Sequence, residues 1–233
     1  MYLCVLDFEA TCEDDGKNIH EVTEFPSVLW HIEGNKMTYI SEIQMFCKPK
    51  LNPVISKFCY ELTGITQEQI DAGISFSEAL KKHEKWLCES SSNSKNIIIL
   101  TCGMWDLEVM AIKEYNLHNI SNPPPVYLKF INIKNEFFGF YNCPYKMGMA
   151  EMLSHLNIKL DGRHHSGIDD CKNISKIYQK MLDDGYSFDD AVIRDVSFKP
   201  KPLKIQNVVV PNDQVWIKLF SLGNININKE DVL

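Results

Sequence analysis

The chain has 233 residues, 45% of them hydrophobic and 24% charged. That is enough apolar material for a sizeable core, and it suits one domain of ordinary size, with two small ones also compatible. Its 24 basic and 31 acidic side chains leave a net charge of −7, which excludes bulk positive charge as a source of nucleic-acid affinity.

The eight cysteines include no CxxC pair and no Cys/His cluster of zinc-finger spacing. Several lie in apolar segments, as buried thiols do, which points to a reducing intracellular compartment, cytoplasmic or nuclear. Asp7 interrupts the N-terminal apolar run too early for a signal peptide, and no stretch is apolar for long enough to span a membrane.

Residues 2–8 read as a central strand buried on both faces. Residues 12–24 are polar and acidic and read as a loop. Phe25 to Ile32 and Met37 to Phe46 form a hairpin turned at Gly34-Asn35. Pro53 to Tyr60 reads as a short helix, and Leu62 to Thr66 as a turn in which Gly64 takes positive φ. Thr66 with Gln69 and Ser75 with Glu78 have helix-starting spacing. The second of these opens a helix with an apolar stripe of Phe76, Ala79, Leu80, Trp86 and Leu87. A polar loop, Ser90 to Lys95, leads to a buried strand, Asn96 to Cys102, and then a helix, Gly103 to Tyr115.

Three prolines, 123–125, make a rigid connector, followed by a short strand or irregular segment over Val126 to Ile133. Residues 145–156 read as helical, His164 and His165 as loop, and Ser166 to Asp183 as a helix. Beyond Tyr186 come a Lys-Pro linker (199–202), two short strands (Ile205 to Val210, Val215 to Phe220) and a frayed polar end. Strands first, then strand–helix alternation, predict an α/β fold with a mixed five- or six-stranded sheet flanked by helices. Parallel pairing joins the strand at 96–102 to the first. Residues 1–185 form the expected domain; 186–233 reads as an extension that straps across the core, the alternative being a segment that dimerises the chain or steers RNA through Lys199, Lys201 and Lys204.

Asp7 and Glu9 are spaced i, i+2, which puts both carboxylates on one face of a strand. Two acids at the end of a buried strand are costly unless neutralised, and a hard divalent cation such as Mg²⁺ or Mn²⁺ would do so. Asp106 follows the second buried strand by four residues and emerges at the same sheet edge. His165 lies in a loop, and Asp170 in the opening turn of a helix whose start Ser166 and Asp169 mark as a capping box. Taken singly, each has a blander reading: Asp106 as a helix cap, Asp170 as a helix-dipole partner and His165 as a solvated loop residue.

Together these pieces resemble the DEDDh 3′–5′ exonucleases, which have a ribonuclease-H-like fold. The match runs through Asp7-Phe8-Glu9-Ala10-Thr11, Trp105-Asp106 and His165-Ser166-Gly167-Ile168-Asp169-Asp170. Glu21 to Pro26, Glu61 to Thr66 and His165 to Ile174 narrow the resemblance to the Eri-type exoribonucleases, over residues 1–185.

The resemblance implies a two-metal site, with Mg²⁺ or Mn²⁺ ions about 3.5–4 Å apart. Asp7 would bridge both ions, Glu9 and Asp170 would complete the first, and Asp106 would serve the second partly through water. His165 would be the general base. The implied reaction releases nucleoside 5′-monophosphates from single-stranded 3′ ends or overhangs of RNA. Ala10 and Thr11 would lie near the terminal ribose, and Phe58, Leu62 and Trp105 near the terminal base, although Phe58 and Trp105 read equally as core residues. Arg163, Lys146 and Lys172 are candidates for phosphate contact or for plain solvation. A DNA-directed exonuclease and a non-catalytic RNA-binding module are the alternative readings.

Overall fold

The computed structural model describes residues 1–12, 20–92, 95–201, 203–209 and 215–221. The predicted loop residues 13–19 and 93–94, and the predicted frayed end after 221, lie outside the described residues.

The apolar N-terminal run forms β1 (Tyr2–Leu6), and the chain continues through Asp7 and Phe8 into β2 (Glu9–Ala10). The hairpin β3 (Val22–Glu33) and β4 (Lys36–Phe46) follows. Val22 to Glu24, read as loop from their acidic character, belong to β3 because Glu24 and Val22 pair with Glu9 and Ala10 of β2. β3 is long enough to pair antiparallel with β2 at one end and β1 at the other. Parallel neighbours then extend the sheet: β5 (Ile97–Thr101) beside β1, and β6 (Lys129–Asn132) beside β5. β7 (Ile193–Asp195) closes that edge antiparallel to β6.

The class is the expected mixed α/β sheet, but among the described residues it has seven strands rather than five or six. The two additions are β2, with two residues, and β7, with three, too short to leave an alternation pattern in the sequence. The segment leading from β7 continues onto the core. Val196 is buried, Phe198 packs edge-on against Tyr115, and Lys201 N–H donates to Asn116 Oδ1. β8 (Leu203–Val209) and β9 (Val215–Ser221) pair antiparallel as a separate two-stranded sheet; β8 starts two residues before the expected Ile205, β9 ends one residue beyond the expected Phe220, and Val210 lies outside the described residues.

Strand alternation divides the core. Leu3 and Val5 face a layer with α5 (Ile133–Phe140), α6 (Met149–His155) and α7 (Gly167–Asp183). Cys4 and Leu6 face the opposite layer, with α3 (Phe76–Ser90) and α4 (Ala111–Leu117). This double cover is why the central strands read as continuous apolar runs. Between the layers, His83 of α3 is completely buried, its Nδ1 2.7 Å from Tyr127 Oη and its Nε2 2.8 Å from Ser27 Oγ. Both ring nitrogens therefore face a hydroxyl, and each hydroxyl can donate or accept, so the neutral ring is satisfied.

Four helical expectations change, the simplest being that the helix read over 145–156 is α6 and begins only at Met149, after the N-cap Gly148. The first helix, α1, runs Lys57–Thr63 rather than from Pro53, because Ser56 accepts the Cys59 N–H and fixes the start. Leu62 is therefore helical, and Gly64 caps the end at φ 77° as expected. After α2 (Gln67–Asp71) and α3, the predicted helix after β5 opens instead as a π-helical turn, Trp105–Met110, before α4. α5 was hidden in the sequence: Asn132 ends β6 and caps the helix at once by accepting the Lys134 N–H, leaving no turn signal between strand and helix.

Candidate active site

The acidic centre lies where the chain leaves β1. Asp7-Phe8-Glu9 is extended, so Phe8 points the other way and packs edge-on to Phe25 at 4.7 Å and near Phe76 at 6.1 Å. That anchor turns Asp7 and Glu9 to the same side. α7 supplies Asp170, and ligand oxygens of Asp7, Glu9 and Asp170 lie within 4.8 Å of one another. The π-helical turn supplies Asp106, whose Oδ1 accepts the Phe8 N–H at 2.8 Å, between the two strand carboxylates. His165 lies in the loop before α7, and its N–H donates to Asp170 Oδ2 at 2.9 Å. Three distant segments therefore converge.

The close approach of α7 depends on Gly167. A Cβ there would lie 2.7 Å from the Asp7 carbonyl oxygen and 2.7 Å from Pro26 Cγ. Ser166 occupies the expected N-cap position but makes no side-chain cap. Glu24 of β3 does the capping, accepting the Gly167 and Ile168 N–H groups at 3.2 Å each. Its carboxylate is also held by Gln44 Nε2 at 2.9 Å. Asp169, expected to complete the Ser166 capping box, accepts the Arg163 N–H at 2.9 Å and shapes the preceding loop.

Crowded carboxylates in a dry place resist ionisation. Burial, then the charges of Asp106, Glu9, Asp170 and Glu24, push Asp7 well above the usual carboxylate range. Burial, then Glu24, raises Glu9 to about 9. Burial lifts Asp170 to about 7 against the opposing His165 N–H. Asp106 rises to about 6 through burial, moderated by the Phe8 N–H and the Lys134 ammonium. His165 moves down, through partial burial and then the neighbouring His164 and Arg163.

The centre fits a divalent cation. Its donors are hard carboxylate oxygens that repel one another, and Asp170 Oδ1 is buried with no hydrogen-bond partner.

The expected substrate residues differ in exposure and in what they touch. Phe58 and Trp105 are 39% and 40% exposed, so neither is a core residue. Phe58 and Leu62 share a face of α1 one turn apart, with Leu62 half-buried. Ala10 and Thr11 are buried, and Thr11 Oγ1 accepts the Glu21 N–H. His20 contacts Trp105 edge-on at 6.3 Å, while its Nδ1 approaches the Thr11 carbonyl. Arg163 Nη2 donates to the Glu61 and Leu62 carbonyls at 2.5 and 3.3 Å, tying the end of α1 to the His165 loop. Lys172 pairs with Glu42 at 3.0 Å. Sequence reasoning assigned no role to Glu24, Gly167, His20 or Lys134, although Glu24 and Gly167 lie in the stretches that carry the family resemblance. Glu24 had one legible signal, since it alternates with Val22 into the same strand face run that precedes Pro26.

A mixed sheet with parallel and antiparallel neighbours, and acids gathered at the tip of its central strand, defines the ribonuclease-H-like class of nuclease folds. Comparison with known proteins narrows this. The Exonuclease family model matches residues 4–178. Mouse 3′-5′ exoribonuclease 1 is 37% identical over 188 residues, 79% of this chain and 54% of that protein. Mouse ERI1 exoribonuclease 3 is 36% identical over 190 residues, 80% of this chain and 55% of that protein. The crystal structure of the nuclease domain of 3′hExo, a DEDDh family member bound to rAMP, superposes with a TM-score of 0.77 at 35% identity, covering 84% of this chain and 97% of that one. A 3′-exonuclease structure described as showing 3′-end-specific recognition of the histone mRNA stem-loop gives 0.73 at 33% identity, over 84% and 90%. The chain belongs to the DEDDh exonuclease family, in its Eri-type exoribonuclease branch. It spans about half the length of the curated relatives it matches. Among the described residues no helix is long and apolar enough to cross a membrane.

Proposed function

We propose that the chain is a divalent-metal-dependent 3′–5′ exoribonuclease that removes nucleoside 5′-monophosphates from single-stranded 3′ ends or overhangs. The observation that carries this reading is the convergence of the Asp7, Glu9 and Asp170 oxygens within 4.8 Å beside Asp106 and His165. Asp7, Glu9, Asp106 and Asp170 would hold two Mg²⁺ or Mn²⁺ ions. When bound, such ions activate water and stabilise charge on the attacking and leaving oxygens.

The chain's own groups do the rest. His165 is tethered through its backbone to Asp170 and biased toward the neutral imidazole, the form able to take a proton from the attacking water at neutral pH. Phe58 and Trp105 offer exposed ring surface for a splayed terminal base, each stacking contact contributing about 1–3 kcal/mol. Arg163 holds α1 and the His165 loop in one arrangement, so a base gripped by α1 and a phosphodiester presented to His165 are positioned together. Contact near Thr11 with a terminal 2′-hydroxyl is the feature that would favour RNA. Relatives of the chain are named exoribonucleases and one is bound to rAMP, which supports that preference.

The test is single-turnover cleavage of two 5′-labelled oligonucleotides that differ at the 3′-terminal sugar alone, with Mn²⁺ or EDTA. The expected result is stepwise loss of 5′-mononucleotides from the ribose-ended strand, abolished by EDTA and by Asp7→Asn. Equal rates on both strands would remove the RNA preference. No mononucleotide release from either strand would make the chain a binding module.

A further inference from the structure

We infer that Lys134 holds the strand being shortened, its ammonium taking the phosphodiester one nucleotide upstream of the scissile one. The inference rests on the exonuclease reading above and adds where the released strand lies. Strand order carries it. β1, β5 and β6 are parallel neighbours, so their C-terminal ends reach one edge of the sheet. Asp7 follows β1, Gly103 and Asp106 follow β5, and Lys134 follows β6. On the other side of β1 the start of α7 sits against β3, with the Gly167 N–H on Glu24. The edge therefore runs in one direction from the His165 loop through Asp7 and Asp106 to Lys134.

In an in-line displacement the attacking and leaving oxygens lie on opposite sides of the phosphorus. With His165 on the side of the attacking water, the departing strand runs the other way, over Asp106 towards β6. There it meets Gly103 and Lys134. Gly103 adopts φ 129°, a conformation open to glycine. Apart from its chain neighbours, the only described atoms within 4 Å of a Cβ placed there are Lys134 Nζ at 3.8 Å and Cε at 4.0 Å. The backbone thus leaves a clear shelf bordered by one cation. Lys134 is half-buried, and among the described residues its ammonium makes no ion pair and no hydrogen bond. Its charge nonetheless reaches Asp106 and Cys102, where it opposes the rise in pKa that burial causes. The position does not serve the helix either: Lys134 is the second residue of α5, at the positive end, where a cation is unfavourable. A phosphodiester supplies the missing partner, and a chain of net charge −7 needs such a local cation to hold a polyanion.

Two readouts on the purified full chain test this. The diribonucleotides ApA and pApA differ by one 5′-phosphate, which occupies the upstream position once the scissile bond is in place. With Mn²⁺, the wild type should cleave pApA with a kcat/KM about tenfold above that for ApA, as one charge-assisted hydrogen bond would give. Lys134→Gln should level the two by slowing pApA alone, and Lys134→Arg should keep the preference. The second readout needs no turnover: anisotropy of a 5′-fluorescein-labelled RNA octamer follows binding in EDTA at several salt concentrations. Lys134→Gln should weaken binding severalfold and flatten the slope of log affinity on log salt by about 0.7, the loss of one phosphate contact on a single strand. A wild type indifferent to the 5′-phosphate would overturn the inference. So would a Lys134→Gln variant that slows ApA and pApA equally, which would put the ammonium on the scissile group. An unchanged salt slope in Lys134→Gln would overturn it as well. The anisotropy measurement stands even if the chain cleaves nothing, so failure of the exonuclease reading and failure of this inference are told apart.

Discussion

Replacing Glu24 probes how a strand residue that holds no substrate sets the geometry of the acidic centre. Glu24 is 1% exposed and accepts the first two N–H groups of α7 while Gln44 holds one of its oxygens. Glu24→Ala leaves those two buried N–H groups without an acceptor, at about 1–3 kcal/mol each. Two effects oppose the loss. Glu24 sits directly opposite Glu9 across the β2–β3 pair and raises its pKa, and burial keeps Glu24 itself above the usual carboxylate range. The net expectation is a loss of about 2–4 kcal/mol on unfolding, and about 1 kcal/mol for Glu24→Gln, which retains one acceptor oxygen. Because α7 carries Asp170, a loosened α7 start also moves a proposed metal ligand. The Mg²⁺ concentration for half-maximal rate should rise at least about tenfold in Glu24→Ala, with partial recovery in Glu24→Gln. Denaturant unfolding without metal and a Mg²⁺ titration of the single-turnover rate measure both effects. A Glu24→Ala unfolding free energy within about 0.5 kcal/mol of wild type, together with an unchanged Mg²⁺ midpoint, would show that something else seats the helix.

Asp170 titrates near 7 instead of 3.8 and Glu9 near 9 instead of 4.5. Folded pKa values above the unfolded ones give stability that is full below about pH 4 and is lost as pH rises through 7 and then 9. The Tm of metal-free protein should therefore fall between pH 5 and 9, less steeply in Asp170→Asn, and saturating Mg²⁺ should flatten the profile; a metal-free profile identical in wild type and variant refutes this. His83 has the opposite sign. Buried and neutral, with its pKa lowered to about 3 from 6.5, it destabilises the fold as pH drops through that window, by up to about 1.4 kcal/mol per pH unit. His83→Gln should be less stable at pH 7 yet lose less on acidification, and parallel pH profiles would count against the buried neutral ring. Arg163→Ala frees α1 from the His165 loop, so KM for a short RNA should rise severalfold with stability changed by about 1 kcal/mol or less, as its guanidinium is exposed. An unchanged KM would mean that α1 is seated without it.

Much of this protein was legible in its residue order, for reasons that are local. The i, i+2 spacing of Asp7 and Glu9 guarantees a shared face once the segment is extended, and the continuous apolar runs of β1 and β5 require cover on both sides. Gly64, Thr66 and Ser75 punctuate the chain because each solves a backbone problem within four residues of itself. What the sequence could not decide is what happens when a side chain satisfies a backbone group far away. Glu24 takes over the cap that Ser166 was spaced to provide, from 143 residues up the chain. Arg163 spends its charge on carbonyls about a hundred residues away, and Phe8 offers its N–H to Asp106 across 98 residues. β7 exists because Ile193 to Asp195 find the free edge of β6, a partner no three-residue pattern announces. Local chemistry proposes each carboxylate, and only the folded chain, by crowding them where water is scarce, makes them a centre that needs a cation.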